Sequence, residues 1–317
     1  MVRALFVCVA LLCWCPAANA QFEEAAKGNG PRPDRTLVQR FKVGVIIKAT
    51  GACQGIKATL PVPTEWPEQK VQVVDEDISP DVRGLEYRIV GGTVKQMLVN
   101  IPALAAGDEA RAILTLEIAR ATLLPPQETS HYTSPKKPDR AMQNYLGVSP
   151  YIETNHPKIK AVAKQLAAET EGKTDWEKVE AIYDWVREHV EYRNGDIKGA
   201  ARALKDKTGD CEELSALFIA ICRINKIPAR TVWVPEHCYS EFYLVDEAGD
   251  GYWFPCQNAG TRAFGGIPEQ RPILQKGDNF RDPDRPRERM RYLSEFMSGE
   301  KVGGKPKVTW IRERIGT

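Results

Sequence analysis

The chain has 317 residues, of which 43% are hydrophobic and 27% are charged. This length is sufficient for two domains, each with its own apolar core. The 44 Lys and Arg residues nearly balance the 42 Asp and Glu residues, so the net charge of +2 gives no indication of a nucleic-acid partner, and we expect none. The Arg-rich stretch 281–291 is interleaved with acidic residues, which is typical of a solvated surface.

The first 20 residues have the pattern of a secretory signal peptide. Arg3 supplies a small positive region, an apolar run extends from Ala4 to Trp14, and Ala18-Asn19-Ala20 is an A-x-A cleavage pattern. We therefore expect export to the periplasm or the extracellular space; the alternative is an uncleaved anchor. No later segment has the ~18 apolar residues that a transmembrane helix needs, so we expect no membrane span after cleavage.

Residues 21–35 are polar and rich in Gly and Pro, which predicts a disordered leader. Residues 36–124 predict a β-sandwich-like domain, because short apolar segments alternate with turn signals such as Thr50-Gly51 and Gly91-Gly92. Strands at this spacing favour an antiparallel sandwich. The predicted strands are 41–49, 56–63, 70–74, 85–90, 95–101 and 112–121.

Residues 125–150 contain five prolines and predict a linker or a long wrap over the next domain. Residues 151–275 then predict helices packed on a short antiparallel sheet, an α+β layout. One helix follows a cap at Asn155, and a second starts at the capping box formed by Thr174 and Glu177. A short helix at 200–205 and the Cys211 helix precede strands at 229–234, 237–245 and 252–256. Residues 276–317 are assigned to a C-terminal extension.

Cys211 is the candidate nucleophile. It follows Gly209 and Asp210 in the first turn of a helix whose apolar residues recur at spacings of three and four. The unpaired N–H groups and the positive end of the helix dipole there favour a thiolate over a thiol. His237 begins a strand-like run further along the chain and is a candidate general base for this cysteine. Asp210 is a candidate supporting residue.

The third polar position of the site is less definite. A hairpin that turns near Gly249 brings His237 close to residues 255–258. Gln257 or Asn258 could accept a hydrogen bond from one imidazole nitrogen and hold the ring toward Cys211. Glu241 lies four residues from His237 on the same strand face, either as a second polar partner or as a surface residue.

Five of the eight cysteines follow the predicted signal peptide, and an odd number leaves at least one thiol free if the others pair within the chain. Strand alternation places Cys238 and Cys256 on the face opposite to His237 and Gln257, where they form either a disulfide or two packed thiols. Cys222 falls near the apolar stripe of its helix and is expected in the core. The spacings contain no C-x-x-C pair and only one nearby histidine, so we expect no metal ion and no cofactor.

Three sequence blocks resemble the transglutaminase-like superfamily, whose core shares the papain-like cysteine-protease arrangement. The resemblance covers roughly 161–259 and rests on Gly209-Asp210-Cys211 with the helix exit Ile227-Pro228-Ala229-Arg230, on His237-Cys238-Tyr239-Ser240-Glu241, and on Tyr252-Trp253-Phe254-Pro255-Cys256-Gln257. It implies a papain-like fold with Cys211 as nucleophile and His237 as base. The family has a catalytic Asp where this chain has Gln257, and a neutral amide can orient an imidazolium but cannot stabilise it by opposite charge.

Two functions follow from these observations. The first is an exported cysteine enzyme that transfers or hydrolyses the acyl group of a carboxamide or peptide bond through a thioester, with a protein or peptide substrate. The alternative is a non-catalytic exported scaffold or binding module that retains the fold, which the neutral Gln257 favours. The presence of both Cys211 and His237 in their motifs favours the enzyme.

Overall fold

The computed structural model describes residues 29–302 and 304–316, so the predicted signal peptide and residues 21–28 of the predicted disordered leader lie outside these ranges. Residues 32–35 of that predicted leader instead begin the first strand. The helices are α1 (Arg140–Gln143), α2 (Pro157–Glu169), α3 (Asp175–His189), α4 (Ala200–Asp206) and α5 (Cys211–Ile224). The strands are β1 (Arg32–Lys48), β2 (Cys53–Val62), β3 (Gln69–Ile78), β4 (Gly84–Val90), β5 (Val94–Leu104), β6 (Glu109–Leu124), β7 (Glu191–Tyr192), β8 (Thr208–Gly209), β9 (Ala229–Val234), β10 (His237–Val245), β11 (Gly251–Gln257), β12 (Ala263–Phe264), β13 (Gln275–Lys276), β14 (Phe296–Ser298), β15 (Lys301–Val302) and β16 (Lys307–Ile315).

Two antiparallel sheets form a sandwich that contains all six strands predicted before residue 125. One sheet has the order β16-β1-β6-β3, and the other has the order β14-β2-β5-β4 with β15 also paired to β2. Alternate residues of β1, including Val43 and Val45, are buried in one core with Met97 and Val99 of β5. This period of two is the reason the apolar pattern predicted strands correctly.

The chain after residue 295 returns to this sandwich, whereas the sequence predicted only a C-terminal extension there. β16 pairs with β1 from Arg40↔Ile315 to Lys48↔Lys307, and β14 pairs with β2. The strand signal of β16 is weak because Arg312, Glu313 and Arg314 are consecutive exposed charges. Charged side chains of this kind are typical of edge strands, which they protect from pairing with other molecules.

The second region is an α+β unit, as predicted. Its five-stranded sheet has the order β12-β11-β10-β9-β13, and α5 packs against β9 and β10. The apolar stripes of α2, α3 and α5 share one core with Phe242 and Phe254 of the sheet. α3 begins with the predicted capping box, in which Thr174 and Glu177 bond each other's backbone N–H groups.

The segment between the two regions wraps over the second one. Tyr132 is buried there, 4.9 Å from Phe254 and 5.9 Å from Trp176 between ring centroids. Thr133 makes an isolated bridge to Val245 at the end of β10. Within the two ranges that the structure describes, no helix combines the length and the apolar character needed to cross a membrane.

Candidate active site

The first turn of α5 is built by a second capping box. The Asp210 side chain caps the helix and accepts a hydrogen bond from the Glu212 backbone N–H at 2.8 Å, while the Asp210 N–H donates to the Glu213 carboxylate at 3.2 Å. A Cβ atom on Gly209 would lie 2.5 Å from Cβ of Glu213, so the residue before the cap must be glycine. These contacts fix the position of Cys211 at the start of the helix.

Cys211, His237 and Gln257 form a hydrogen-bonded series. The Cys211 thiol is hydrogen-bonded to the His237 side chain, and His237 Nε2 lies 3.2 Å from Gln257 Oε1. Both strand residues come from neighbouring antiparallel strands, since β10 pairs with β11. Of the two amides that the hairpin argument brought near His237, the structure thus places Gln257 on the ring.

The electrostatics of the site favour a thiolate beside an imidazolium. A hydrogen bond from the Cys238 thiol, the hydrogen bond and charge of His237, and the Cys238 backbone N–H together outweigh burial and lower the pKa of Cys211 to about 4. Burial lowers the pKa of His237, but the hydrogen bond and charge of Cys211 and the hydrogen bond of Gln257 outweigh it and raise this pKa above 6.5. The ion pair is therefore the favoured state between these two pKa values.

Carboxyl groups beside Cys211 keep their protons to unusually high pH. Burial, followed by the hydrogen-bonded Glu213, raises the pKa of Asp210 to about 6. Burial also raises the pKa of Glu212 to about 7, although its ion pair with Arg291 acts in the opposite direction. Protonation of these groups limits the negative charge next to the thiolate.

A set of contacts from α3 supports the strand end that carries Gln257. The Tyr183 hydroxyl donates to the Gln257 carbonyl at 2.7 Å, and Arg187 Nη1 donates to the same carbonyl at 3.0 Å. Arg187 also donates to the carbonyl oxygens of Asn258 and Gly260. The backbone of Gln257 is thus held independently of its side chain, which leaves the amide group free to bond His237.

Two other predicted supporting residues have different partners. Asn258 is buried, and its Oδ1 accepts a hydrogen bond from the Ser215 hydroxyl at 3.4 Å. Glu241 was predicted as a second partner of His237 or as a surface residue, and both predictions were wrong. It is 1% exposed and pairs with Arg230 at 2.7 Å and Lys276 at 2.6 Å, since these basic groups meet it on the face of β10 that turns toward the sandwich.

Cys238 and Cys256 were predicted to form either a disulfide or two packed thiols, and the structure has two packed thiols. The five cysteines in the described part of the chain are all free. Cys238 and Cys256 do face α5 together, but the register pairs Cys256 with Ser240 and so offsets it from Cys238 by two residues. Cys222 is buried in the core, as expected.

A surface cleft of about 510 Å³ lies beside the hydrogen-bonded series, and Tyr192 and Arg271 line it together with His237 and Gln257. Neither residue was predicted from the sequence. Tyr192 belongs to β7, which pairs with β8 next to the Cys211 turn. Arg271 bonds the Glu269 carboxylate and the Pro235 carbonyl, and its charge opposes protonation of His237. Arg271 lies in an irregular segment, so no periodic pattern could have identified it.

The face of β10 that carries His237 is connected to the sandwich by buried charges. Lys276 donates to Glu241 of β10 at 2.6 Å and to Glu68 of the sandwich at 2.8 Å. Arg120 of β6 donates to the Tyr239 hydroxyl at 3.1 Å. The strand that carries His237 is therefore fixed to the N-terminal region at two positions.

The chain is similar to a known protein family and to solved structures. Residues 160–257 match the model of the Transglutaminase-like superfamily. The solved structure of a candidate cysteine protease from Cytophaga hutchinsonii superposes with a TM-score of 0.55 at 18% identity, covering 89% of this chain and 94% of that chain. The periplasmic domain of TgpA from Pseudomonas aeruginosa superposes with a TM-score of 0.34 at 13% identity, covering 75% and 93%. No curated protein matches the chain.

The fold and the Cys–His pair define a papain-like α+β core preceded by a β-rich region. Residues 160–257 are similar to the Transglutaminase-like superfamily, and the resemblance that the three sequence blocks predicted is confirmed.

Proposed function

We propose that the protein is a cysteine enzyme that transfers the acyl group of a carboxamide or peptide bond through a thioester on Cys211. The observation that carries the proposal is the series of hydrogen bonds from Cys211 through His237 to Gln257, at the edge of an open cleft. A lowered thiol pKa beside a raised imidazole pKa is the electrostatic arrangement of an activated nucleophile.

In the proposed reaction, the Cys211 thiolate attacks the substrate carbonyl, and backbone N–H groups of the first α5 turn, including that of Cys211, stabilise the oxyanion. The His237 imidazolium gives its proton to the departing amine or ammonia. Neutral His237 then removes a proton from water or from an amine, which attacks the thioester. Water gives hydrolysis, and an amine gives cross-linking of two substrates.

Gln257 acts as a positioning residue in this proposal. Its amide oxygen accepts a hydrogen bond from Nε2 at 3.2 Å and selects the ring orientation, as an amide does in papain-like enzymes. The countercharge for the imidazolium comes from the Cys211 thiolate, because Gln257 carries none. We also propose export of the protein, on the pattern of residues 1–20.

Alkylation of Cys211 by iodoacetamide at a series of pH values tests the proposal, with peptide mapping to identify the modified cysteine. We expect selective modification of Cys211 well below pH 7, decreasing as pH falls through about 4. Modification that begins only near the ordinary thiol pKa of ~8.5 would instead support a non-catalytic scaffold.

A second assay separates the two acceptors. Release of ammonia from a glutamine-containing protein such as casein is measured with and without a primary amine, and incorporation of that amine is followed in parallel. The Cys211→Ser variant is the control for both readings. Ammonia release without amine incorporation identifies hydrolysis, and amine incorporation identifies transfer.

A further inference from the structure

Cys211 has a second thiol as its immediate neighbour. Its sulfur is hydrogen-bonded to the Cys238 side chain and to the Cys238 backbone N–H. An independent contact gives the same placement, since Cys238 Sγ lies 3.9 Å from Oγ of Ser215, which is one helical turn after Cys211 on the same face of α5. The Cys238 side chain, at the start of β10, therefore lies against the first turns of α5, where Cys211 also lies.

We propose that Cys238 is a resolving cysteine, which forms a reversible disulfide with Cys211 when a peroxide oxidises the site. The inference rests on the proposed function only in requiring a Cys211 thiolate. Cys238 lies against the turn of α5 that carries Cys211, and a disulfide bond requires their sulfurs to approach to ~2.05 Å.

The reaction proceeds in two balanced steps. The Cys211 thiolate attacks one oxygen of hydrogen peroxide and breaks the O–O bond, which yields a Cys211 sulfenic acid and hydroxide. The Cys238 sulfur then attacks the Cys211 sulfur, the S–O bond breaks, and the departing hydroxide leaves as water with the Cys238 thiol proton. Both cysteines are oxidised by one electron each, and the peroxide is reduced to two molecules of water after the released hydroxide takes up a proton.

Exposure distinguishes Cys211 from the other cysteines in the described ranges as the thiol that peroxide oxidises first; Cys238 is only 2% exposed and reacts afterwards with the oxidised Cys211. Cys53, Cys222 and Cys256 are at most 1% exposed, whereas Cys211 is only partly buried. Thiolate character and exposure together determine which cysteine reacts with peroxide first. Cys222 and Cys256 lie close to each other, but burial raises the pKa of both, so neither presents a thiolate to start the reaction.

The disulfide would protect the nucleophile as well as block it. A sulfenic acid without a partner thiol is oxidised further to sulfinic and sulfonic acids, which thiols do not reduce. A disulfide is reduced by an external thiol through exchange, which returns both cysteines to the free state. An enzyme with a resolving cysteine therefore regains its nucleophile after oxidation.

The test compares the wild-type chain with Cys238→Ser after treatment with one to a few equivalents of hydrogen peroxide. Free thiols are alkylated, and peptides are mapped by mass spectrometry before and after dithiothreitol. In the wild type we expect a linked pair of peptides containing Cys211 and Cys238, which dithiothreitol separates. In Cys238→Ser we expect Cys211 carrying two or three oxygen atoms, unchanged by dithiothreitol.

Cys53→Ser is the matched control, because Cys53 lies in the sandwich and its thiol bonds the Gly51 carbonyl, an interaction that serine retains. It should form the linked peptides as the wild type does. Equal over-oxidation of Cys211 in the wild type and in Cys238→Ser, or a linked pair of Cys222 and Cys256 peptides, would overturn the inference. Alkylation of untreated Cys211 reports the proposed function separately, since it needs no oxidant and no second cysteine.

Discussion

Replacing Gln257 gives the most direct test of how this site holds its base. Gln257→Ala removes the oxygen that lies 3.2 Å from His237 Nε2, and Gln257→Glu puts a carboxylate in the same position. Because the backbone of Gln257 is held by Tyr183 and Arg187, both variants should keep the strand end in place. The pKa of His237 is the quantity that changes.

The expected changes follow from the contact geometry. A hydrogen bond to a charged group contributes ~1.5–3 kcal/mol, and one pKa unit corresponds to ~1.4 kcal/mol, so Gln257→Ala should lower the pKa of His237 by about 1–2 units. In Gln257→Glu, opposite charges about 4 Å apart attract by ~4 kcal/mol at an effective dielectric constant of about 20. Partial burial of the new carboxylate offsets part of this attraction, so the pKa of His237 should rise by about 1–2 units.

The direction in pH follows from the sign of the shift. The imidazolium is present below the pKa of His237 and is lost as pH rises through it. The ion pair of thiolate and imidazolium should therefore be lost at lower pH in Gln257→Ala and at higher pH in Gln257→Glu. The lower pH limit of the ion pair is set by the pKa of Cys211 near 4. This limit should change less, because Gln257 bonds the imidazole and not the thiol.

Proton NMR of the imidazole Cε1–H resonances measures these pKa values, and the chain has only four histidines to assign. His237→Asn identifies the relevant resonance by its disappearance. Gln165→Ala is the matched control, because this amide lies on α2 and bonds Glu169 at 2.8 Å. An unchanged His237 titration in Gln257→Ala would refute the assignment of Gln257 as the positioning residue.

Three further changes test other contacts. Arg271→Gln should raise the pKa of His237, by less than about 1 unit because the guanidinium is partly solvated, as read by the same NMR titration. Asp278→Asn leaves the buried Arg223 without its countercharge and should cost about 3–5 kcal/mol in urea unfolding. The pKa of Glu68 is lowered to about 2 because Lys276 and Arg120 outweigh its burial, so its contribution to stability is complete above pH 4.5 and is lost as pH falls toward 2. Glu68→Gln should therefore make urea unfolding less dependent on pH in that range, while a control such as Glu171→Gln on the surface should not.

Local patterns predicted much of this fold because they report local structure. The capping box of Thr174 and Glu177 predicted the start of α3, and the apolar stripe after Cys211 predicted α5 with Cys211 in its first turn. A hairpin turn near Gly249 predicted that Gln257 or Asn258 would lie near His237, and the structure places the Gln257 amide there.

What the sequence did not predict depends on contacts between distant segments. Glu241 was misplaced because its partner Lys276 lies 35 positions later, and the second partner of that lysine, Glu68, lies 208 positions away. The β16 strand was missed because an edge strand needs few apolar residues once β1 supplies its hydrogen bonds. Periodic patterns in a sequence do not show which distant segments contact each other.

The strands after residue 295 also change how the N-terminal region relates to the site. β1 and β16 pair over nine residues, so the α+β unit is inserted between two parts of a single sandwich. The sandwich then contacts β10 through Arg120 and Tyr239 and through Glu68, Lys276 and Glu241. Tyr239 and Glu241 are two and four residues after His237 on the same strand. Moving β10 would leave the buried charges that join it to the sandwich without partners, which is costly in free energy. The sandwich therefore fixes the strand that presents the imidazole to Cys211.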